Sequence, residues 1–465
     1  MIQATIRQIS EWVNGTLTQP SAADQVICGV SKDTRTLESG NLYIPLRGEH
    51  FDGHSFLSDA IDNGATASLW ARDLPIPNTH LPLILVGDPL LAMQLLAHQY
   101  RRSLPVQVIG ITGSNGKTST KDILSPILRE KYRVVENRGN ENNEIGVPLT
   151  LLSMNVDTEI CITEMGTERP GEIEVLTRMA EPNIAMITNV ADSHLEELGS
   201  KAGVAREKLE IVLGLPEQGY FLYNSDDPIL SEEAEKKFST SEAAENFHIK
   251  SYGTRSQSDF QIQDIQVRQD EIRFSIEQEE YQASICGRHQ IYNGALAVCV
   301  ARLLGLTPDQ IRSGLQKVNF TGMRNEWKHY SGFDVLDDSY KANPQNLSAA
   351  LDIMQTSPSY ARRIAVLGDM LGLGENAAAL HYAAGRSLKP DTIDYLLTYG
   401  PLMKQYARGA VEVLGEAQVL SFDEKAELWT ALRDLLVENT LILVKGSRDM
   451  HMESIVRELS LLTGD

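Results

Sequence analysis

The stretch from Val106 to Ser119 limits the possible folds of this chain more than any other. Val106-Gln107-Val108-Ile109-Gly110-Ile111 reads as a buried strand. Gly113-Ser114-Asn115-Gly116-Lys117-Thr118-Ser119 follows Thr112, and Thr118 opens a helix. A strand feeding a glycine-rich loop and then a helix belongs in a parallel α/β sheet, with the loop at the strand's carboxyl end. Glycines let backbone N–H groups point inward, and the helix N-terminus adds partial positive charge. Lys117 suits β- and γ-phosphates, and the Thr118 hydroxyl suits Mg²⁺. The strict spacing asks for glycine at 111, where Ile111 stands; the glycines fall at 110, 113 and 116. Pro126 lies in the helix after the loop. It should remove a backbone hydrogen bond, at about 3 kcal/mol, unless the helix kinks or ends there.

The rest of the chain extends the same architecture. At roughly 100–200 residues per domain, its 465 residues suggest three domains, each burying its own core. We expect an α/β protein with a small N-terminal α/β substrate domain (1–103), a central parallel-sheet ATPase domain (104–322) and a C-terminal Rossmann-like domain (323–465). In the first, Ile6–Val13 is amphipathic, residues 40–46 form a turn and strand, Ser55–Asn63 is helical and Leu83–Val86 is a buried strand. In the second, Glu159–Thr163 and Ile184–Thr188 are short, apolar strands of a parallel sheet covered on both faces. Gln257–Ser284 alternates as antiparallel strands do, and Gly294–Leu304 is an Ala-rich helix. In the third, Asp334–Leu336, Ile364–Leu367, Tyr395–Thr398 and Thr440–Val444 are strands separated by helices. Glu232–Glu245 reads as a solvated helix face.

Composition excludes several function classes. A net charge of −21 argues against non-specific nucleic-acid binding, which needs basic surface. Cys28, Cys161, Cys286 and Cys299 lie far apart with no C-x-x-C pair. We therefore expect reduced thiols in or near the core rather than a disulfide framework or zinc site. No run of about 18 apolar residues spans a membrane, and Met1–Thr18 lacks a signal-peptide pattern. The expected location is the cytoplasm.

Three residues downstream of the loop stand out. Glu164 follows a buried strand and faces the strand-end region where Thr118 lies, so it suits Mg²⁺ or, alternatively, a helix cap. His194 follows another strand. Lys208 sits in a helical run and, taken alone, is a surface lysine.

Together these segments resemble the Mur ligase family, the ATP-dependent amide ligases of peptidoglycan precursor synthesis. The resemblance covers nearly the whole chain: Gly110–Thr118, Glu164-Met165-Gly166, Thr188–His194, the Lys208 helix and Gly287-Arg288-His289-Gln290-Ile291-Tyr292-Asn293. Asp33-Thr34-Arg35, the run from Gly48 to His54, Asn142–Pro148 and Asp337–Pro344 favour the branch that joins D-alanyl-D-alanine to a UDP-N-acetylmuramoyl tripeptide. The D-x-A-H-x-P and D-N-P-R strings of the branch adding the third residue are absent.

The resemblance implies roles. Gly113, Ser114, Asn115, Gly116, Lys117, Thr118 and Ser119 would hold ATP phosphates. Thr118 and Glu164 would hold one Mg²⁺, and His194 with a carbamylated Lys208 a second. Lys117, His194 and Lys208 would serve catalysis. Asn293, Arg324 and Asp338 would contact adenine, ribose or the γ-phosphate. Ser31, Arg35, Arg47, Gly48, Asp52, Gly53 and His54 would bind the uridine diphosphate end. Asn142 and Asn143 would face sugar or peptide, and Asn343, Asp369 and Lys445 the remaining substrate, with the last two lining the dipeptide site. The expected partners are UDP-N-acetylmuramoyl tripeptide and D-alanyl-D-alanine, with no nucleic acid, no membrane and a monomeric state.

This chain departs from the family pattern in three places. Lys341 replaces the usual Asn after Ser-Tyr, Gln290 ends the GRHN string, and Gly372 replaces the Glu of D-M-x-E-L-G, with Glu375 three residues on. Two other readings stay open. A folate-polyglutamate-type ligase shares the loop but lacks the uridine-binding first domain that Asp33–His54 implies. An inactive nucleotide-binding scaffold has no need of Glu164, His194 and Lys208 beside the loop.

Overall fold

The structure, a computed structural model, describes residues 1–48, 50–239, 246–268, 271–357 and 359–462. Glu49, and residues 240–245 of the charged stretch, lie outside the described residues. Residues 232–238 of that stretch belong to the helix Pro228–Phe238, and Ser239 is its C-cap.

The chain forms three main sheets. The first has five strands in the order Thr16–Leu17, Leu83–Val86, Ala67–Ala71, Leu42–Tyr43 and Val30–Ser31, parallel except at the Thr16 edge. A separate ribbon pairs Gln3–Thr5 with Val26–Cys28. The first unit has a core cluster of its own, with Leu37, Tyr43, Leu57, Trp70 and Leu83, and shares a second one with the central unit. Met93, Leu96, Ala97 and Tyr100 of the helix Pro89–Ser103 join an apolar cluster that continues through Val147, Leu151, Ile173 and Leu176. Arg101 fastens the junction, donating Nε to the Ala180 carbonyl at 3.0 Å and Nη2 to that of Glu181 at 3.1 Å.

The central sheet has nine strands. β1 (Gln107–Thr112) runs into the loop and α1 (Lys117–Leu128). It lies between β2 (Ile160–Glu164) and β3 (Ile184–Ile187), and all three are parallel. Val134–Glu136 closes one edge; Tyr220–Asn224, His248–Gly253 and the antiparallel set Phe260–Val267, Ile272–Ile276 and Glu279–Ala283 extend the other. Helices α2 (Lys201–Lys208) and α3 (His289–Leu303) belong to this unit. Register matters for function: Glu164 pairs with Ile111, and Ile187 with Thr112. Three neighbouring strands therefore end on one rim.

The proline in α1 is accommodated near the helix end. α1 stops two residues past Pro126, and Gly314 packs there so closely that a Cβ would stand 2.3 Å from the Ile127 Cα. The hydrogen bond that proline cannot donate is thus missing from the last turn only, where the helix ends anyway.

The third sheet has six strands, with β4 (Phe333–Asp338), α4 (Pro344–Gln355), β5 (Arg362–Gly368) and β6 (Thr440–Lys445) nearest the site. Its order is Glu326–Tyr330, β4, β6, β5, Tyr395–Tyr399, Val419–Phe422, parallel except in the first hairpin. Cys161, Cys286 and Cys299 are buried, whereas Cys28, on the ribbon edge, is exposed. No described helix is long and apolar enough to cross a membrane.

Candidate functional site

A cleft of about 1390 Å³ opens where the rim of the central sheet meets the C-terminal unit. The phosphate loop forms one wall. Gly113 has φ +149° and Gly116 φ +82°. A Cβ at 113 would lie 1.8 Å from Thr188 Oγ1, and one at 116 would lie 2.5 Å from Asn293 Oδ1. Both positions therefore need glycine on conformational and steric grounds. The segment after β3 braces the loop: Ser114 N–H donates to the Asn189 carbonyl at 3.0 Å, Asn115 N–H to Asn189 Oδ1 at 3.1 Å, and Ala191 N–H to Ser114 Oγ at 3.0 Å. Ser119 also lines the cleft.

Lys117 donates Nζ to the Gly113 carbonyl at 2.7 Å, and burial lowers its basicity. Thr118 donates its hydroxyl to Glu164 Oε2 at 3.0 Å. Glu164 is fully buried, and burial pushes its pKa up although Lys121 and Lys117 pull it down. Its Oε1 has no hydrogen-bond partner; the nearest cation is Lys121 Nζ at 3.9 Å. Lys121, one turn beyond Lys117, escaped notice in the sequence because a lysine in a helix usually points to solvent. Here it is 3% exposed and also donates to the Asn137 carbonyl at 3.2 Å.

The second group holds His194, Lys341 and Lys208. His194 has a left-handed backbone, φ +52°. Burial, reinforced by Lys341, Lys208 and Lys117, lowers its pKa to about 3, so its imidazole is neutral. Lys341 Nζ lies 3.4 Å from His194 Nε2. Burial beside Lys117 brings the Lys341 pKa down to about 7. Lys208 is 2% exposed, not a surface lysine, and burial drives its pKa well below the usual value. The opposite charge acting on it is Glu207, whose carboxylate already accepts from Thr167 Oγ1 and from the N–H groups of Gly171 and Ile173.

The other wall comes from α3 and the C-terminal unit. Asn293 donates Nδ2 to Gln290 Oε1 at 2.8 Å, so the Gln290 departure aims the Asn293 amide. The Arg324 guanidinium stacks on Tyr340, 3.8 Å from the ring centroid. Asp338 is tied to Lys445 at 2.5 Å. Asn343 caps α4 and donates Nδ2 to Asn115 Oδ1 at 2.9 Å; Asn346 Nδ2 reaches the same oxygen at 3.2 Å. Asn142 and Asn143 line the cleft mouth.

Two predicted substrate residues have other partners. Asp369 and Lys445 do not line the cleft. Asp369 accepts from the Met403 N–H at 2.7 Å and the Leu402 N–H at 3.3 Å, capping the helix Met403–Leu414. Lys445 also donates to the Lys341 carbonyl at 2.8 Å.

The first-unit residues gather apart from the cleft. Ser31 Oγ donates to the Asp33 carbonyl at 2.8 Å. Arg35 is exposed and pairs with Asp33 at 2.6 Å, and Arg47 pairs with Asp73 at 2.9 Å. Asp52 accepts from the His54 N–H at 2.9 Å, and Gly53 fits against the Leu46 carbonyl, where a Cβ would be 2.7 Å away. A Cβ at Gly48 would strike the Phe51 ring at 2.5 Å.

Fold and site together define an ATP-dependent ligase built from three α/β units. Family models agree along the chain: "Mur ligase family, catalytic domain" over residues 26–101, "Mur ligase middle domain" over 111–301 and "Mur ligase, glutamate ligase domain" over 323–448. The UDP-N-acetylmuramoyl-tripeptide–D-alanyl-D-alanine ligase of Bacillus subtilis (strain 168) is 40% identical over 462 residues, 99% of each chain. A crystal structure of MurF from Acinetobacter baumannii matches with a TM-score of 0.88 and 27% identity over 99% of each chain. The MurF ligase of Thermotoga maritima, solved with ADP, shares the fold at a TM-score of 0.77 and 24% identity, covering 92% of this chain and 96% of that one. The chain belongs to the Mur ligase family.

Proposed function

We infer that this chain is the family's D-alanyl-D-alanine-adding ligase, joining that dipeptide to UDP-N-acetylmuramoyl tripeptide through an acyl phosphate in peptidoglycan precursor synthesis. The convergence of Lys117, Arg324 and Lys341 with the buried Glu164 on one cleft carries this reading. Such a site is built to receive a polyphosphate and a carboxylate together. The full-length similarity to the Bacillus relative supports the choice of dipeptide.

The tripeptide carboxylate attacks the γ-phosphorus, and ADP leaves. The dipeptide amine then attacks the acyl carbonyl, and phosphate leaves. Lys117 and the loop N–H groups neutralise charge on the transferring group, which is the main catalytic task in such transfers. Contact between the loop and α4 draws the two units together and keeps water from the acyl phosphate.

Mg²⁺ takes one or two carboxylates and completes its shell with phosphates and water. Thr118 and Glu164 would hold one ion; the unpartnered Glu164 Oε1 fits that role. His194 and carbamylated Lys208 would hold a second. Burial lowers the basicity of Lys208 and so favours the free amine, the form that adds CO₂ and releases a proton. Bound Mg²⁺ would supply positive charge to the phosphates. Ser31, Arg35, Arg47, Gly48, Asp52, Gly53 and His54 would take the uridine diphosphate end. We place the reaction in the cytoplasm and treat the enzyme as a monomer.

A phosphate-release assay with ATP, the UDP-tripeptide and D-alanyl-D-alanine, omitting each in turn, tests this. Release that needs all three is expected. Equal release without the dipeptide would refute it.

A further inference from the structure

Lys341 stands where the family pattern has Asn, and the cleft gives it a specific place. Its backbone is pinned: the carbonyl accepts from Lys445 Nζ at 2.8 Å and from Asn346 Nδ2 at 3.3 Å. Asn346 also holds Asn115 in the phosphate loop, so the main chain at Lys341 is referenced to the loop itself. The preceding residue, Tyr340, carries Arg324 on its ring. The Lys341 side chain is held less firmly. Its Nζ has a 3.4 Å contact to a neutral imidazole and no ion pair within reach among the described residues. The charges acting on it are Lys117, Glu168 and Arg324, two of them repulsive. A half-buried lysine with a fixed backbone, a loosely held head and cationic neighbours is short of an anion, and the cleft around it is shaped for phosphates.

We propose that Lys341 is a catalytic residue: its ammonium donates to the phosphoryl group in transit between ADP and the tripeptide carboxylate. The proposal rests on the ligase reading above. In the step, the bond from phosphorus to the ADP oxygen breaks and one to the carboxylate oxygen forms. Lys341 acts in its protonated form, which the negative charge of the phosphates favours, and supplies charge only. Because Lys341 belongs to the C-terminal unit and Lys117 to the central one, the two ammonium groups approach the same phosphoryl group from opposite walls. A neutral Asn at this place offers a shorter, uncharged donor; the lysine adds charge where it develops.

The test uses the full-length protein. Phosphate release by the unaltered enzyme with all three substrates comes first; its failure would refute the ligase reading itself. With that activity in hand, K341M is expected to lower kcat about 100-fold while leaving the KM values for ATP and UDP-tripeptide within about threefold. K341R should recover part of the loss. Affinity for ADP alone should be unchanged in K341M. Affinity for ADP with aluminium fluoride and UDP-tripeptide, which mimics the group in transit, should fall with kcat. If K341M melts early, K341Q replaces it under the same expectations. A kcat within about threefold of the unaltered enzyme would overturn the proposal. So would equal weakening of ADP with and without the fluoride.

Discussion

Asn343 of the C-terminal unit donates its side-chain amide to Asn115 Oδ1 in the phosphate loop at 2.9 Å, while its own Oδ1 accepts the Asn346 N–H at 2.9 Å. One side chain therefore caps α4 and clasps the loop.

Asn343→Ala should lose both functions. The cap alone is worth about 1 kcal/mol. A double-mutant cycle with Asn115→Ala, read by thermal denaturation, should show coupling of at least about 0.5 kcal/mol. Strict additivity would mean that the interunit bond contributes nothing.

Lys117→Ala should abolish turnover while the protein stays folded. Lys117 hydrogen-bonds a loop carbonyl, and when it is removed the buried Glu164 keeps the Thr118 hydroxyl and Lys121. A loss of at least about 100-fold in kcat/KM is expected, with an unchanged circular dichroism spectrum. Full activity would remove the loop from the mechanism.

Gly116→Ala forces a Cβ against Asn293 Oδ1 and a left-handed φ on alanine. Calorimetric ADP affinity should drop at least tenfold, on the order of 1.4 kcal/mol. Alanine accepted here at full affinity would mean that the loop relaxes more freely than its packing suggests.

Asp369→Ala should lower stability by about 1 kcal/mol, the usual cost of a lost helix cap, and leave the KM for D-alanyl-D-alanine nearly unchanged. A dipeptide KM rising tenfold without loss of stability would favour the ligand role over the cap.

The pH dependence follows from His194. Its folded pKa, about 3, lies below the unfolded value of 6.5. The unfolded chain therefore binds the extra proton between those values, and stability falls as pH drops from 6.5 towards 3. His194→Gln removes this contribution, so its urea midpoint should depend less on pH in that window. Parallel curves would show that His194 does not titrate there.

The phosphate loop was legible in the sequence because strand, glycines, lysine and helix are contiguous. Glu164 was legible as a strand-end carboxylate, but its contact with Thr118 depends on the register of β2 against β1. Lys208 looked like a surface lysine and Lys121 drew no attention; only the packing around α1 and α2 shows them buried. Asp369 and Lys445 sit at strand ends, as ligand residues do, yet their partners are a helix N-terminus and Asp338. Sequence position alone cannot separate a carboxylate that meets a ligand from one that meets a backbone. Lys341 was visible as a departure, but its neighbour His194 lies 147 residues away.

The Lys445–Asp338 pair also sets how the enzyme meets changes in ionic strength. Lys445 is 1% exposed and Asp338 8%, so dissolved ions cannot enter between them, and burial weakens the screening that operates over about 8–10 Å in solution. Arg35–Asp33 and Arg47–Asp73, in the first unit, are open to solvent. A cell that gains salt under osmotic stress would loosen the first-unit pairs while the seat of Lys341 stays put. Osmotic sensitivity should therefore show in capture of the nucleotide-sugar end and leave the phosphoryl step untouched.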